Sequence, residues 1–171
     1  MNWKRLAVLA LGLVVGLGAQ SVQATPVLDA GWTYDQIDGR FVDSEGSPYV
    51  LFLTAPAYFR VTDSFVPGDT YSVYDFGTWL FTTVFSGAEL SLTPVGDPGG
   101  DAGWTSADFS HGQTTLGAGL HALTVQGDGV GGIPAGFYTR LDTAVPEPTT
   151  MSLFGLGSLA LGYLRRRRQN S

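Results

Sequence analysis

Ala57-Tyr58-Phe59-Arg60-Val61-Thr62-Asp63 and, beyond Ser64-Phe65-Val66-Pro67-Gly68-Asp69, Thr70-Tyr71-Ser72-Val73-Tyr74-Asp75 decide the fold class. Side chains of an extended chain point alternately to opposite faces. Phe59 and Val61 therefore share one face, while Tyr58, Arg60 and Thr62 take the other. Tyr71 and Val73 share a face in the same way. A period of two in aromatic and β-branched residues predicts half-buried strands and does not suit a helix, whose period is 3.6. Pro67-Gly68-Asp69 and Asp75-Phe76-Gly77 supply turn chemistry after each run.

Working outward, the pattern recurs over Tyr49 to Thr54, Thr78 to Phe85, Leu120 to Gln126 and Gly136 to Thr143, each bounded by Gly, Pro, Asp or Ser. In Leu120 to Gln126, Leu123 and Val125 oppose Leu120, Ala122 and Thr124. Shorter strands are expected at Trp32 to Tyr34, Gly39 to Asp43, Glu89 to Thr93 and Thr114 to Leu116, with a Gly-rich loop between Val95 and Ser110. No helical repeat runs through residues 25–144. The expected fold is all-β: an antiparallel β-sandwich of the jelly-roll or CUB-like kind, flanked by an N-terminal signal helix and a single C-terminal transmembrane helix.

Composition agrees with that class. The chain has 24 Gly and is 12% aromatic but only 14% charged, well below the roughly 25% of ordinary soluble domains. Charge is also segregated. Asp29 to Glu147 holds all fifteen acidic residues against three basic ones, Arg40, Arg60 and Arg140, a net of −12. Such a body repels phosphate backbones, which excludes nucleic acid as a partner. With no cysteine, disulfides, thiol nucleophiles and thiolate metal sites are excluded as well.

The remaining cations sit at the two ends. Lys4 and Arg5 precede the uncharged run Leu6 to Ala19, and Val22-Gln23-Ala24 offers small residues where a signal peptidase cuts. Residues 1–24 are expected to be a signal peptide cleaved before Thr25; an uncleaved anchor is the other reading. At the far end Val145-Pro146-Glu147-Pro148 leads into the charge-free Thr149 to Leu164, closed by Arg165, Arg166, Arg167 and Arg168. A helix over residues 149–164 would reach about 24 Å at 1.5 Å per residue, against roughly 30 Å of hydrocarbon. Snorkelling arginines close that gap. Four cations resist translocation and stay in the cytoplasm, so the acidic body lies outside the inner membrane.

Pro146-Glu147-Pro148, a short apolar helix and a terminal arginine cluster, in that order, resemble the PEP-CTERM sorting signal of Gram-negative bacteria, at residues 145–171. The same tail is also described as an ice-binding-protein C-terminal domain, a label that implies nothing about ice. The resemblance implies recognition by an exosortase in the inner membrane, a cut near Pro146-Glu147-Pro148, delivery to the cell surface or extracellular matrix, and an association with exopolysaccharide. Physical chemistry fits that role. Two prolines remove backbone donors and hold the chain extended, ready for a protease-like groove. A permanent single-span anchor gives the same topology before processing. The body from about Gly31 to Asp142 in turn is similar to PEP-CTERM proteins of unknown function in Thr62-Asp63, Gly68-Asp69, Val73-Tyr74-Asp75, Ser110-His111-Gly112 and Gly119-Leu120-His121, with Phe76 departing from an expected Asn. No established activity comes with that likeness.

Candidate chemistry in the body is sparse. Asp63, Asp69 and Asp75 fall at strand ends or turns, and Asp97, Asp101 and Asp108 crowd the Gly-rich loop. Calcium takes six to eight oxygens from such loops, so these six are candidate ligands; the other reading is that they cap turns. No spacing matches an EF-hand, and Gly127-Asp128-Gly129-Val130-Gly131-Gly132 occurs once, as a hairpin loop would. His111 and His121 are the two histidines, read as packed or solvated rather than metal-binding. No nucleophile elbow, phosphate loop or dinucleotide fingerprint occurs, and no pair of carboxylates stands out as a glycosidase dyad. The expectation is therefore a non-enzymatic module without a cofactor. A calcium- or carbohydrate-binding sandwich and a secreted hydrolase are the alternatives. Trp104, beside Asp101, is the ring expected to meet a sugar, with the remaining aromatics largely core.

Overall fold

The computed structural model describes residues 25–87 and 92–144. The signal segment 1–24, the span 149–164 and the sorting residues Pro146 to Arg168 lie outside the described residues. Among the described residues no helix is long and apolar enough to cross a membrane.

Eight strands form: β1 (Trp32–Ile37), β2 (Tyr49–Leu53), β3 (Ala57–Asp63), β4 (Tyr71–Asp75), β5 (Thr78–Thr82), β6 (His111–Leu116), β7 (Gly119–Gly127) and β8 (Ala135–Thr143). They make two four-stranded antiparallel sheets, in the orders β1-β8-β3-β6 (sheet A) and β2-β7-β4-β5 (sheet B). Every connection but the β4–β5 hairpin passes from one sheet to the other. The all-β sandwich is thus what the alternation pointed to, and residues it placed on one face of a strand do lie on one side. Phe59, Val61, Tyr71, Val73, Leu123 and Val125 are buried between the sheets with Ile37, Tyr49, Leu51, Phe137 and Leu141. Each fully buried large apolar side chain stabilises such a core by roughly 1.5–3 kcal/mol.

Three expectations need correction. Gly39 to Asp43 is not a strand. Phe41 takes φ 57°, which breaks an extended run, and the segment meets sheet B through the Phe41 N–H to Gly127 carbonyl bond and one bridge between Asp43 and Gln126. The stretch Glu89 to Thr93 lies partly outside the described residues, and Leu92 and Thr93 are not in a strand. The loop from Val95 to Ser110 holds a short helix, α1 (Gly100–Thr105), packed on the outer face of sheet A.

The β4–β5 hairpin closes through Phe76-Gly77, with Asp75 opposite Thr78. Both loop residues have positive φ, 46° and 78°, the conformation a two-residue turn needs to match strand twist. A β-carbon is strained there, and Asn tolerates it better than Phe. Phe76→Asn is expected to raise stability by about 1 kcal/mol, measured by urea unfolding; a lower midpoint would show that the exposed ring matters more than the backbone.

Candidate functional site

Alternation that buries one side of sheet A lays the opposite residues in rows across its outer face. Trp32, Arg140, Arg60 and Gln113 stand in register over all four strands, and Tyr34, Tyr138, Thr62 and His111 form the next row. Helix α1 lies over these rows. It approaches closely because Gly100 and Gly103 have no side chain: a β-carbon on Gly100 would stand 2.2 Å from the Trp32 ring, and one on Gly103 2.9 Å from the Asp63 carbonyl.

Trp104 on α1 reaches back over the sheet. Its ring centroid lies 5.8 Å from Trp32 and 5.1 Å from His111, and the Arg60 guanidinium sits 5.3 Å from it. Arg140 covers Trp32 at 5.7 Å. Both cations are also paired with carboxylates. Arg60 donates to Asp142 at 3.0 Å and to Gln113 at 3.1 Å, while Arg140 donates to Asp142 at 2.8 Å. Asp101 accepts from the Trp32 indole at 2.7 Å and from Arg140 at 3.4 Å. The result is a charge-balanced aromatic surface with donors and acceptors along its rim. Such a surface can stack on a sugar ring and bond its hydroxyls. It has no cationic excess to attract phosphate. Trp104 is half-buried in a helix rather than free on a loop, and Trp79 on sheet B is the more exposed indole.

Of the six acidic candidates, the structure brings Asp63 and Asp69 together and leaves the others apart. The alternation that turns Phe59 and Val61 inward turns Asp63 inward too, and it is fully buried. Its carboxyl accepts the N–H groups of Ser64 (2.7 Å), Gly68 (3.2 Å) and Asp69 (3.3 Å), folding the loop back over the strand end. Burial first, and the neighbouring Asp69 second, push its pKa up to about 8 against those three donors. Asp69 accepts the Gly131 N–H at 2.6 Å, and burial raises its pKa as well. Asp128 lies in the loop that crosses from β7 in sheet B to β8 in sheet A, not in the expected hairpin, and accepts both the N–H and the hydroxyl of Thr70, at 3.0 and 2.7 Å. Ser110 donates to the Asp69 carbonyl at 2.6 Å.

At the other end of the sandwich Asp75 holds His121 at 2.7 Å and the Ala122 N–H at 3.0 Å. Burial alone would lower the His121 pKa, but the Asp75 carboxylate and the Gly117 carbonyl outweigh it and raise it. Asp97 accepts from Gly99 and Tyr138 at 2.9 and 2.8 Å, and Asp108 stands exposed.

These carboxylates tie loops to strands. Among the described residues no three His, Cys, Asp or Glu side chains group to hold a metal ion. A cavity of about 20 Å³ lies between Ser64, Asp69 and Gly131, room for one water and far below a sugar. The motif Thr62-Asp63, Gly68-Asp69, Val73-Tyr74-Asp75 and Ser110 is thus read by the structure as a set of loop clamps. His111 and His121 lie in different sheets, and their rings bond to the Phe109 carbonyl and to the Asp75 carboxylate and Gly117 carbonyl respectively.

Neither the comparison with curated proteins nor that with solved structures gives a match. Residues 144–168 match the family described as the PEP-CTERM protein-sorting motif, starting one residue before the segment singled out in the sequence. The chain therefore joins an all-β body to the tail of an exported, exosortase-sorted protein.

Proposed function

We propose that this chain is a non-catalytic surface or matrix module. It is led out by a signal peptide at residues 1–24, held at the inner membrane by residues 149–164 with Arg165 to Arg168 inside, and cut near Pro146-Glu147-Pro148 by an exosortase. The match over residues 144–168 carries this reading. The strand order β1-β8-β3-β6 over β2-β7-β4-β5 supports a jelly roll, a scaffold used widely for binding as well as for shells. A structural role is supported by the way both histidines and most acids are engaged in internal bonds. Association with exopolysaccharide follows from the family resemblance alone.

Replacing Pro146-Glu147-Pro148 by three alanines is expected to leave the full-length chain in the membrane fraction. Released product should fall on the order of tenfold or more, the discrimination a site loses with its recognition contacts. Unchanged release would overturn the sorting role.

One observation favours a specific ligand as a second reading: the Trp32–Trp104 pair with its polar rim. Trp104→Ala is the matching test, read as loss of sedimentation with insoluble polysaccharide.

A further inference from the structure

The body joins its tail at the end of the sandwich where β8 stops. There the Ala144 N–H donates to the Pro56 carbonyl at 3.0 Å, which fixes the exit point beside the loop between β2 and β3. Antiparallel pairing brings the starts of β1 and β3 and the finishes of β2 and β6 to this same end. The β2–β3 and β6–β7 loops there, Thr54-Ala55-Pro56 and Gly117-Ala118, are exposed and hold no charge. Large apolar side chains stand out around them. Leu28 is 43% exposed, Phe52 74% and Leu120 57%, and the last two are directly opposite on the outer face of sheet B. Phe76, also exposed, tips the β4–β5 hairpin, and its N–H bonds to the Ala122 carbonyl, two residues from Leu120.

Charge is placed the other way along the sandwich. Asp38, Asp43, Glu45, Asp63, Asp69 and Asp128 lie at the far end, in the loops beyond β1, β3 and β7 or at the strand ends that meet them. Arg40 is the one basic residue with them. Exposed apolar residues occur there too, Phe41 and Val130 among them, but they stand among these acids. At the exit end Asp75 is paired with His121, and Asp142 with Arg60 and Arg140. Asp29 accepts the N–H and the hydroxyl of Thr143.

We propose that the exit end rests on the lipid surface of the membrane that holds the tail, with Leu28, Phe52, Phe76 and Leu120 set into the boundary between headgroups and acyl chains. The inference rests on the reading that residues 149–164 lie in that membrane. Reach selects this occupant. From Ala144 to Thr149 the chain has five steps, about 16 Å when extended at roughly 3.3 Å each. The end that bears these side chains therefore stays beside the bilayer. Chemistry agrees, because aromatic and aliphatic side chains on an uncharged rim suit the interface, whereas clustered carboxylates stay in water. A body so oriented turns its acidic end away from the lipid. The contact can be weak, since the tail makes it an intramolecular event.

The chain has no cysteine, so a single thiol can report on each end. Full-length protein is reconstituted in phosphatidylcholine vesicles with a fluorophore on Thr54→Cys or on Val130→Cys, both exposed positions. Vesicles whose acyl chains carry a nitroxide quencher are compared with plain ones. Emission from residue 54 is expected to fall about twofold and emission from residue 130 to stay the same, because docked apolar residues reach roughly 5–10 Å into the headgroup and acyl boundary. Phe52→Glu together with Leu120→Glu should restore the emission at residue 54 and leave the melting temperature unchanged, as both side chains are exposed. Resistance of the protein to alkaline washing from the same vesicles reads the anchor separately. Protein that stays bound without quenching at residue 54, equal quenching at both positions, or quenching that survives the double substitution overturns the contact and leaves the anchor standing. Protein that washes off overturns both.

Discussion

Asp63→Ala is expected to lower the unfolding free energy by about 3 kcal/mol, roughly 1 kcal/mol for each of the three N–H groups it strands. For a body of this size that is on the order of 10 °C in melting temperature. The reason is where the residue sits. Position 63 is the last inward place on β3, fully buried, and the N–H groups of Ser64, Gly68 and Asp69 converge on its carboxyl. Removing the side chain leaves those donors without their acceptor at a buried position. The far-UV spectrum at low temperature should persist, since the sheets are bonded independently of this loop.

The same residue gives stability a pH dependence with a definite sign. In the folded state burial and the neighbouring Asp69 push the Asp63 pKa up to about 8, against 3.8 for an ordinary aspartate. Between those values the native chain binds a proton that the unfolded chain has released. Its contribution is complete below about pH 4 and is lost as pH rises toward 8. Asp69 and His121, both raised, act in the same direction. The melting temperature should therefore decline from about pH 5 to pH 9, and decline less in Asp63→Ala. A flat or rising profile in the parent protein would show that the three donors hold the carboxyl ionised.

Gly100→Ala is the second large effect. A methyl there would stand 2.2 Å from a Trp32 ring carbon and 2.7 Å from its β-carbon, so α1 must lift or the indole must turn. Either movement separates Trp32 from Trp104 and breaks the Asp101 bond to the indole. A loss of about 2 kcal/mol is expected, typical of overpacking, with a red shift in tryptophan emission as both rings gain water. Unaltered emission and stability would mean that the helix is not docked as described. If the Trp32–Trp104 surface binds a glycan, the same substitution abolishes that binding while the core between the sheets stays closed.

What could be read from the chain was what is local. Alternation in β3, β4 and β7 grouped the residues of each face correctly because a two-residue period is written in adjacent positions; which face turns inward is decided by the facing sheet. The tail was legible because its three parts follow one another without interruption. The residues of the outer face were not, because Trp32, Arg140 and Arg60 meet through strand pairing between distant segments. Helix α1 has six residues, two of them glycine, too few for a helical period to show. Asp63 was in phase with Phe59 and Val61, and that phase was the available signal that it is buried. Chemistry argued for a solvent-facing ligand, whereas the donors that satisfy it come from the turn it organises.

The Ala144 N–H donates to the Pro56 carbonyl at 3.0 Å, and the sorting motif begins at that same residue. Folded mass and address label thus abut without slack. Since β8 is flanked by β1 and β3, a cutting enzyme gains no extra length by fraying the strand unless it strips both neighbours. At about 3.3 Å per extended residue, Pro146 can stand no more than roughly two such steps from a rigid wall. An enzyme with a deep, narrow throat would be blocked by that wall; one with a shallow, wide mouth would not.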